Sequence, residues 1–105
     1  MNKVLSMIGL AKRSGNLVSG EFAVGESIKN KKACLVIISK DASKNTKKKF
    51  RNKTSFYKIP LVEYGDRYEL GKAIGKEFRM SIAITEKGFA ENIHKLIEEQ
   101  MSMEV

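Results

Sequence analysis

His94 is the only histidine and Cys34 the only cysteine of the chain, so the two side chains best suited to proton transfer and nucleophilic attack occur once each. A general base needs an orienting partner. His94 stands between Ile93 and Lys95 on a helical stretch with none in the pattern, so it reads as a surface or boundary residue. Cys34 falls inside the apolar run Ala33 to Ile38, where a thiol behaves as a small hydrophobe. One histidine and one cysteine do not make a structural zinc site, and the carboxylates are too scattered to work as a pair. Gly15-Asn16-Leu17-Val18-Ser19-Gly20 has the glycine spacing of a phosphate-binding loop, but Glu21 and Phe22 stand where lysine and a hydroxyl would hold phosphate and magnesium. No catalytic residue, metal ligand or cofactor is expected, and the chain does not read as an enzyme.

Two features keep binding chemistry. Ser19-Gly20 opens a helix whose first-turn N–H groups and dipole favour an anion. Further on, Gly75-Lys76-Glu77-Phe78-Arg79-Met80 sets an aromatic, a cation and a thioether on one loop, a mixture able to stack on a splayed base. The competing reading of Phe78 and Met80 is core anchoring.

Charge selects among partners. The 105 residues fit one domain; 42% are apolar and 30% charged, and the net charge is +8 with a pI near 9.7. Residues 40–58 alone carry about +7, from Lys40, Lys44, Lys47, Lys48, Lys49, Arg51, Lys53 and Lys58 against Asp41, whereas residues 86–105 run to about −3. The lysine-rich helix has no internal glutamate for i,i+4 pairing, which favours a polyanion over simple solubility. The longest apolar run is six residues, too short to span a bilayer, and Val4 to Ala11 reads as a helix and not a signal peptide. A lone cysteine fits a reducing, cytoplasmic setting.

Periodicity predicts the elements that position these residues. Val4, Leu5, Ile8 and Ala11 stripe a first helix ending near Ser14-Gly15; Leu17-Val18 is a short strand; a second helix carries Phe22 and Ile28 among its apolar positions and ends at Asn30-Lys31-Lys32. Ala33 to Ile38 reads as a strand covered on both faces. Asp41 or Ser43 caps the lysine-rich helix, which runs to about Phe56. Pro60 precedes a strand at Leu61 to Glu63, a fourth helix spans Arg67 to about Ile74, Ser81 to Ile84 is a buried strand, and Phe89, Ile93, Leu96, Ile97 and Gln100 stripe the last helix. Residues 1–100 form one domain on this reading and residues 101–105 a frayed tail. The alternation predicts a three-layer α-β-α sandwich with a mixed sheet of about four strands.

The ordered set Lys12-Arg13-Ser14-Gly15, Ser19-Gly20, Leu35 to Ile38 followed by Lys40-Asp41-Ala42, Tyr68 to Gly75, and Ser81 to Ile84 resembles the kink-turn-binding ribosomal protein family, L-seven-Ae, and most closely its short bacterial YlxQ branch. The resemblance covers residues 3 to about 97, with Leu70-Gly71-Lys72-Ala73-Ile74-Gly75 before a buried strand as its most specific part. It implies an α-β-α sandwich that binds structured, ribosomal RNA without catalysis. The start of the second helix, Gly20 to Glu26, would enter the RNA, and Lys76 to Met80 would cup an extruded nucleotide. Where the family carries Asn and Glu side by side and Lys three positions later, this chain has Phe22, Ala23 and Glu26. Each lost guanine contact should remove about 1–3 kcal/mol, with major-groove pairs as the guide.

The residues expected at RNA are thus Gly20, Glu21 and Phe22 at the helix start, and Lys76, Phe78, Arg79 and Met80 in the loop. Lys29, Lys40 and Lys44 are expected to neutralise phosphates, and Arg13, with Gly20 and Arg79, to position the RNA. A second class stays open: a protein-docking module on a ribosome or transcription complex, with Phe22 in a partner's pocket and only non-specific RNA affinity.

Overall fold

The structure, a computed structural model, describes residues 2–103. Its order is α1 (Lys3–Arg13), β1 (Leu17–Ser19), α2 (Glu21–Lys29), β2 (Leu35–Ile38), α3 (Lys44–Tyr57), β3 (Leu61–Glu63), α4 (Arg67–Ala73), β4 (Ser81–Ile84) and α5 (Lys87–Met103).

Local chemistry starts and stops most of these elements. Asn2 Oδ1 accepts the Leu5 amide at 2.8 Å and Ser43 Oγ accepts that of Thr46 at 3.1 Å, each satisfying a donor that the helix leaves orphaned. Asp66 and Glu69 form a reciprocal capping box at the start of α4. Ahead of α5, the Glu86 carboxylate accepts the amides of Gly88 at 2.9 Å and Phe89 at 2.8 Å, and those two bonds hold its pKa below the usual value.

The strands pair in the order β1-β4-β2-β3, with β4 antiparallel to both β1 and β2, and β3 parallel to β2. The predicted mixed sheet of four strands is therefore what forms. Strand alternation then makes two cores. Leu35, Ile37, Ile82 and Ile84 meet Val4, Ile8, Leu70, Ile93 and Ile97 of α1, α4 and α5. Val36, Ile38 and Ala83 meet Val24, Ile28 and Phe50 of α2 and α3 on the other face. Each fully buried isoleucine or leucine contributes about 1.5–3 kcal/mol through lost contact with water.

Three expectations shift. Cys34 is only half-buried, since β2 begins at Leu35 and Cys34 lies at its mouth, with its amide on the Ile84 carbonyl at 2.7 Å. The last helix continues through Met103, past the expected fraying point at Met101; Glu104 and Val105 lie outside the described residues. Phe22 is not an inward position of α2: it is 82% exposed, and Val24 and Ile28 fill the core instead.

Candidate nucleic-acid interface

Because β4 runs antiparallel to its neighbours, its first residue lies beside the last residues of β1 and β2. Ser19 pairs in register with Ile82, and Ile38 with Ser81. The Gly20 amide donates to the Ser81 carbonyl at 3.0 Å, and the Ser39 amide to Met80 at 2.9 Å. The start of α2 and the loop that leads into β4 are thereby fixed at one end of the sheet.

Gly20 has φ +93°, a conformation that side-chain-bearing residues rarely adopt, and it offers no side chain to cap α2. The first-turn amides of the helix are left for an outside acceptor. Across from them, Arg79 is held in place: Nε donates to Ser19 Oγ at 3.0 Å, Nη1 to the Phe78 carbonyl at 2.8 Å, and its amide to the Arg67 carbonyl at 2.9 Å.

Arg67 is itself clamped by Asp41. Its Nε reaches Asp41 Oδ2 at 3.0 Å, its amide Oδ1 at 3.1 Å and its Nη2 the Asp41 carbonyl at 3.0 Å. Lost hydration pushes the Asp41 carboxyl up, but donors outweigh it and leave the pKa below the usual carboxylate value. Ser39 Oγ is near enough to favour the anion yet makes no hydrogen bond of good geometry, so the Arg67 donors are the firmer cause.

Between these parts lies a cleft of about 420 Å³, lined by Gly20, Glu21, Phe78, Arg79, Met80 and Ser81 together with Thr46 and Phe50 of α3. Phe78 is 44% exposed, whereas Met80 packs on the second core, so the anchoring reading holds for Met80 and not for the Phe78 side chain. Glu21 carries the wrong charge for a phosphate, and Lys49 Nζ stands 3.6 Å from it.

Residues 2–94 match the profile of the ribosomal protein L7Ae/L30e/S12e/Gadd45 family. The chain belongs to that family. It is 42% identical over 92 residues to a Bacillus subtilis (strain 168) protein called RNA-binding protein YlxQ, covering 88% of this chain and 92% of that one. A protein of the same name from Enterococcus faecium is 42% identical over 96 residues, 91% of this chain and 92% of that one. Among solved structures, a Bacillus halodurans C protein of unknown function superposes with a TM-score of 0.90 at 41% identity, covering 93% of this chain and 99% of that one. The Giardia lamblia 15.5kD RNA binding protein shares the fold, with a TM-score of 0.77 at 19% identity over 97% of this chain and 87% of that chain.

Within this family member, the expected site residues separate into groups. Gly20, Glu21, Phe78, Arg79 and Met80 share the cleft. Phe22 does not join them; it lines a neighbouring groove between α2 and α3 with Lys49 and Lys53. Lys29 is in the last turn of α2, about 14 Å along the axis from Gly20 by helical rise, so it cannot act at the same point. Arg13 lines a different groove, between α1 and α4, beside Lys12 and Lys72.

Lys40, Lys44 and Lys76 are exposed and do not line the cleft. The Lys76 amide instead closes the end of α4 on the Gly71 carbonyl at 2.9 Å.

Sequence reasoning missed Thr46 and Phe50, and it missed that Ser19 holds Arg79. The first two, with buried Thr54, recur every four residues as the non-lysine stripe of α3, a signal the charge pattern hid. It also missed carboxylates reaching α3 from other elements: Glu63 pairs with Lys47 at 3.0 Å and with Arg51 at 3.4 Å. Among the described residues no group of three or more metal-ligating side chains converges, and no helix is long and apolar enough to cross a membrane.

Proposed function

We propose that this chain is a non-catalytic, cytoplasmic RNA-binding protein that docks on structured, kink-turn-like RNA, ribosomal in origin, through the cleft between α2 and the 76–80 loop. The observation that carries the reading is the meeting of a side-chain-free helix start at Gly20 with Phe78 and Arg79 in one cleft. Helix amides and Arg79 suit phosphate, and the half-exposed Phe78 ring suits an unstacked base. The net charge of +8 supplies the sequence-independent part of affinity, and the names of the two bacterial relatives support RNA as ligand.

The test is binding to a kink-turn RNA across a salt series, beside the same RNA with its tandem G·A pairs replaced. Preference for the intact RNA supports kink-turn reading through backbone and remaining side chains. Equal, salt-steep binding supports a general RNA binder on the same scaffold. Absence of binding to both removes the reading.

One observation favours the second class, a docking module for ribosomal or transcription-complex proteins. Phe22 stands at a family reading position, is 82% exposed and has no hydrogen-bonding group. Partners that survive nuclease treatment in a pull-down would support it.

A further inference from the structure

We propose that the groove between α2 and α3 is a second RNA contact, where Phe22 and Phe56 stack unpaired bases of a strand leaving the cleft while Lys49 and Lys53 hold its phosphates. This inference rests on the RNA-binding reading above.

Phe22 and Phe56 are 82% and 78% exposed, so neither ring serves the core. Lys49, Lys53 and Phe56 recur at i, i+4 and i+7, which puts them on one face of α3 over about 10 Å of helix axis. Phe22 stands across from that face, and it lines one groove with Lys49 and Lys53. Gly25 leaves room for a close approach. A Cβ there would fall 3.2 Å from Lys53 Nζ, so the bare backbone lets the ammonium lie over α2.

Charge and continuity identify the occupant. α3 carries six cations and no carboxylate of its own; Glu63 answers Lys47 and Arg51 and Glu21 answers Lys49, and the surplus that remains selects a polyanion. Glu21 is answered by Lys49 at 3.6 Å, and Glu26 lies on the α2 side, so phosphates belong along the lysines and a base on the Phe22 ring. Glu21 and Phe50 line both this groove and the cleft, so a strand can pass from one to the other without leaving the surface. Exposed rings interleaved with cations are the chemistry of single-strand binding, tolerant of sequence because every base has a π-face.

The chain contains no tryptophan, so Phe22→Trp introduces a single indole at an exposed position. Its emission is followed while kink-turn RNA is added, with and without a short single-stranded oligouridine extension at each end; anisotropy of the labelled RNA reports binding in parallel. The extended RNA should quench the indole and the unextended RNA should not. Phe56→Ala should weaken the extended RNA about fivefold or more while leaving the unextended RNA unchanged, and Phe22→Ala should weaken the extended RNA more than the unextended one. Tight binding of both RNAs with steady emission overturns the groove proposal and spares the cleft. Failure of both RNAs to bind the unaltered protein at low salt overturns the two together.

Discussion

Phe78 lies directly over Gly71: a Cβ built on Gly71 would fall 2.5 Å from Phe78 Cα and 2.7 Å from its nitrogen. Both neighbours are backbone, so nothing flexible can give way. The absence of one side chain on α4 thus sets how closely the 76–80 loop approaches the helix. Gly71→Ala should lift that loop, lowering stability by about 1–3 kcal/mol as overpacking does and weakening RNA binding with it. Urea unfolding together with RNA titration checks both effects. Unchanged affinity in a destabilised variant would detach the loop from the binding surface.

Arg79 offers a sharper separation of binding from folding. It spans from the loop to β1 through Ser19 Oγ at 3.0 Å. Arg79→Ala should lower RNA affinity roughly 10- to 150-fold, the equivalent of a lost charge-assisted bond of about 1.5–3 kcal/mol. Ser19→Ala keeps the charge and frees its aim, so a smaller loss is expected. Equal losses in the two variants would show that positioning, not charge, is what the loop supplies.

Salt dependence distinguishes phosphate contacts from exposed lysines that touch nothing. Lys44 opens α3 with no carboxylate partner among the described residues, whereas Lys47 is tied to Glu63 at 3.0 Å. Lys44→Ala should lower the slope of log K against log salt by about 0.7–0.9, the value for one phosphate. Lys47→Ala should change it less. A slope unmoved by Lys44→Ala would exclude that lysine from the RNA path.

Acid should loosen the clamp behind the loop. The Asp41 carboxyl sits below its unfolded value, so its stabilisation is full above about pH 4 and disappears as pH falls through the folded value. Glu86, depressed by the amides of Phe89 and Gly88, acts in the same direction. Urea midpoints should therefore fall below about pH 4 in the unaltered protein. Asp41→Asn, which has already lost the charge, should lower the neutral midpoint and flatten the acid limb. An acid limb of unchanged depth in Asp41→Asn would place the titration elsewhere.

Much of this was legible in residue order, because helix and strand periods and caps are local properties. The stripe of α1, the doubly buried run at Leu35–Ile38, the cap at Ser43 and the cationic surplus of residues 40–58 follow from neighbours within a few positions. Resemblance added the expectation that Gly20 and the 76–80 loop act on one RNA. Tertiary structure decided the rest. The Ser19–Arg79 bond joins residues 60 apart, and it forms because β4 inserts between β1 and β2 in antiparallel sense. Sheet order is set by the collective burial of two opposite faces, which no single segment encodes. The same packing turned Phe22 outward and brought Glu63 to the lysines of α3, since a side chain's surroundings depend on which element lands beside it.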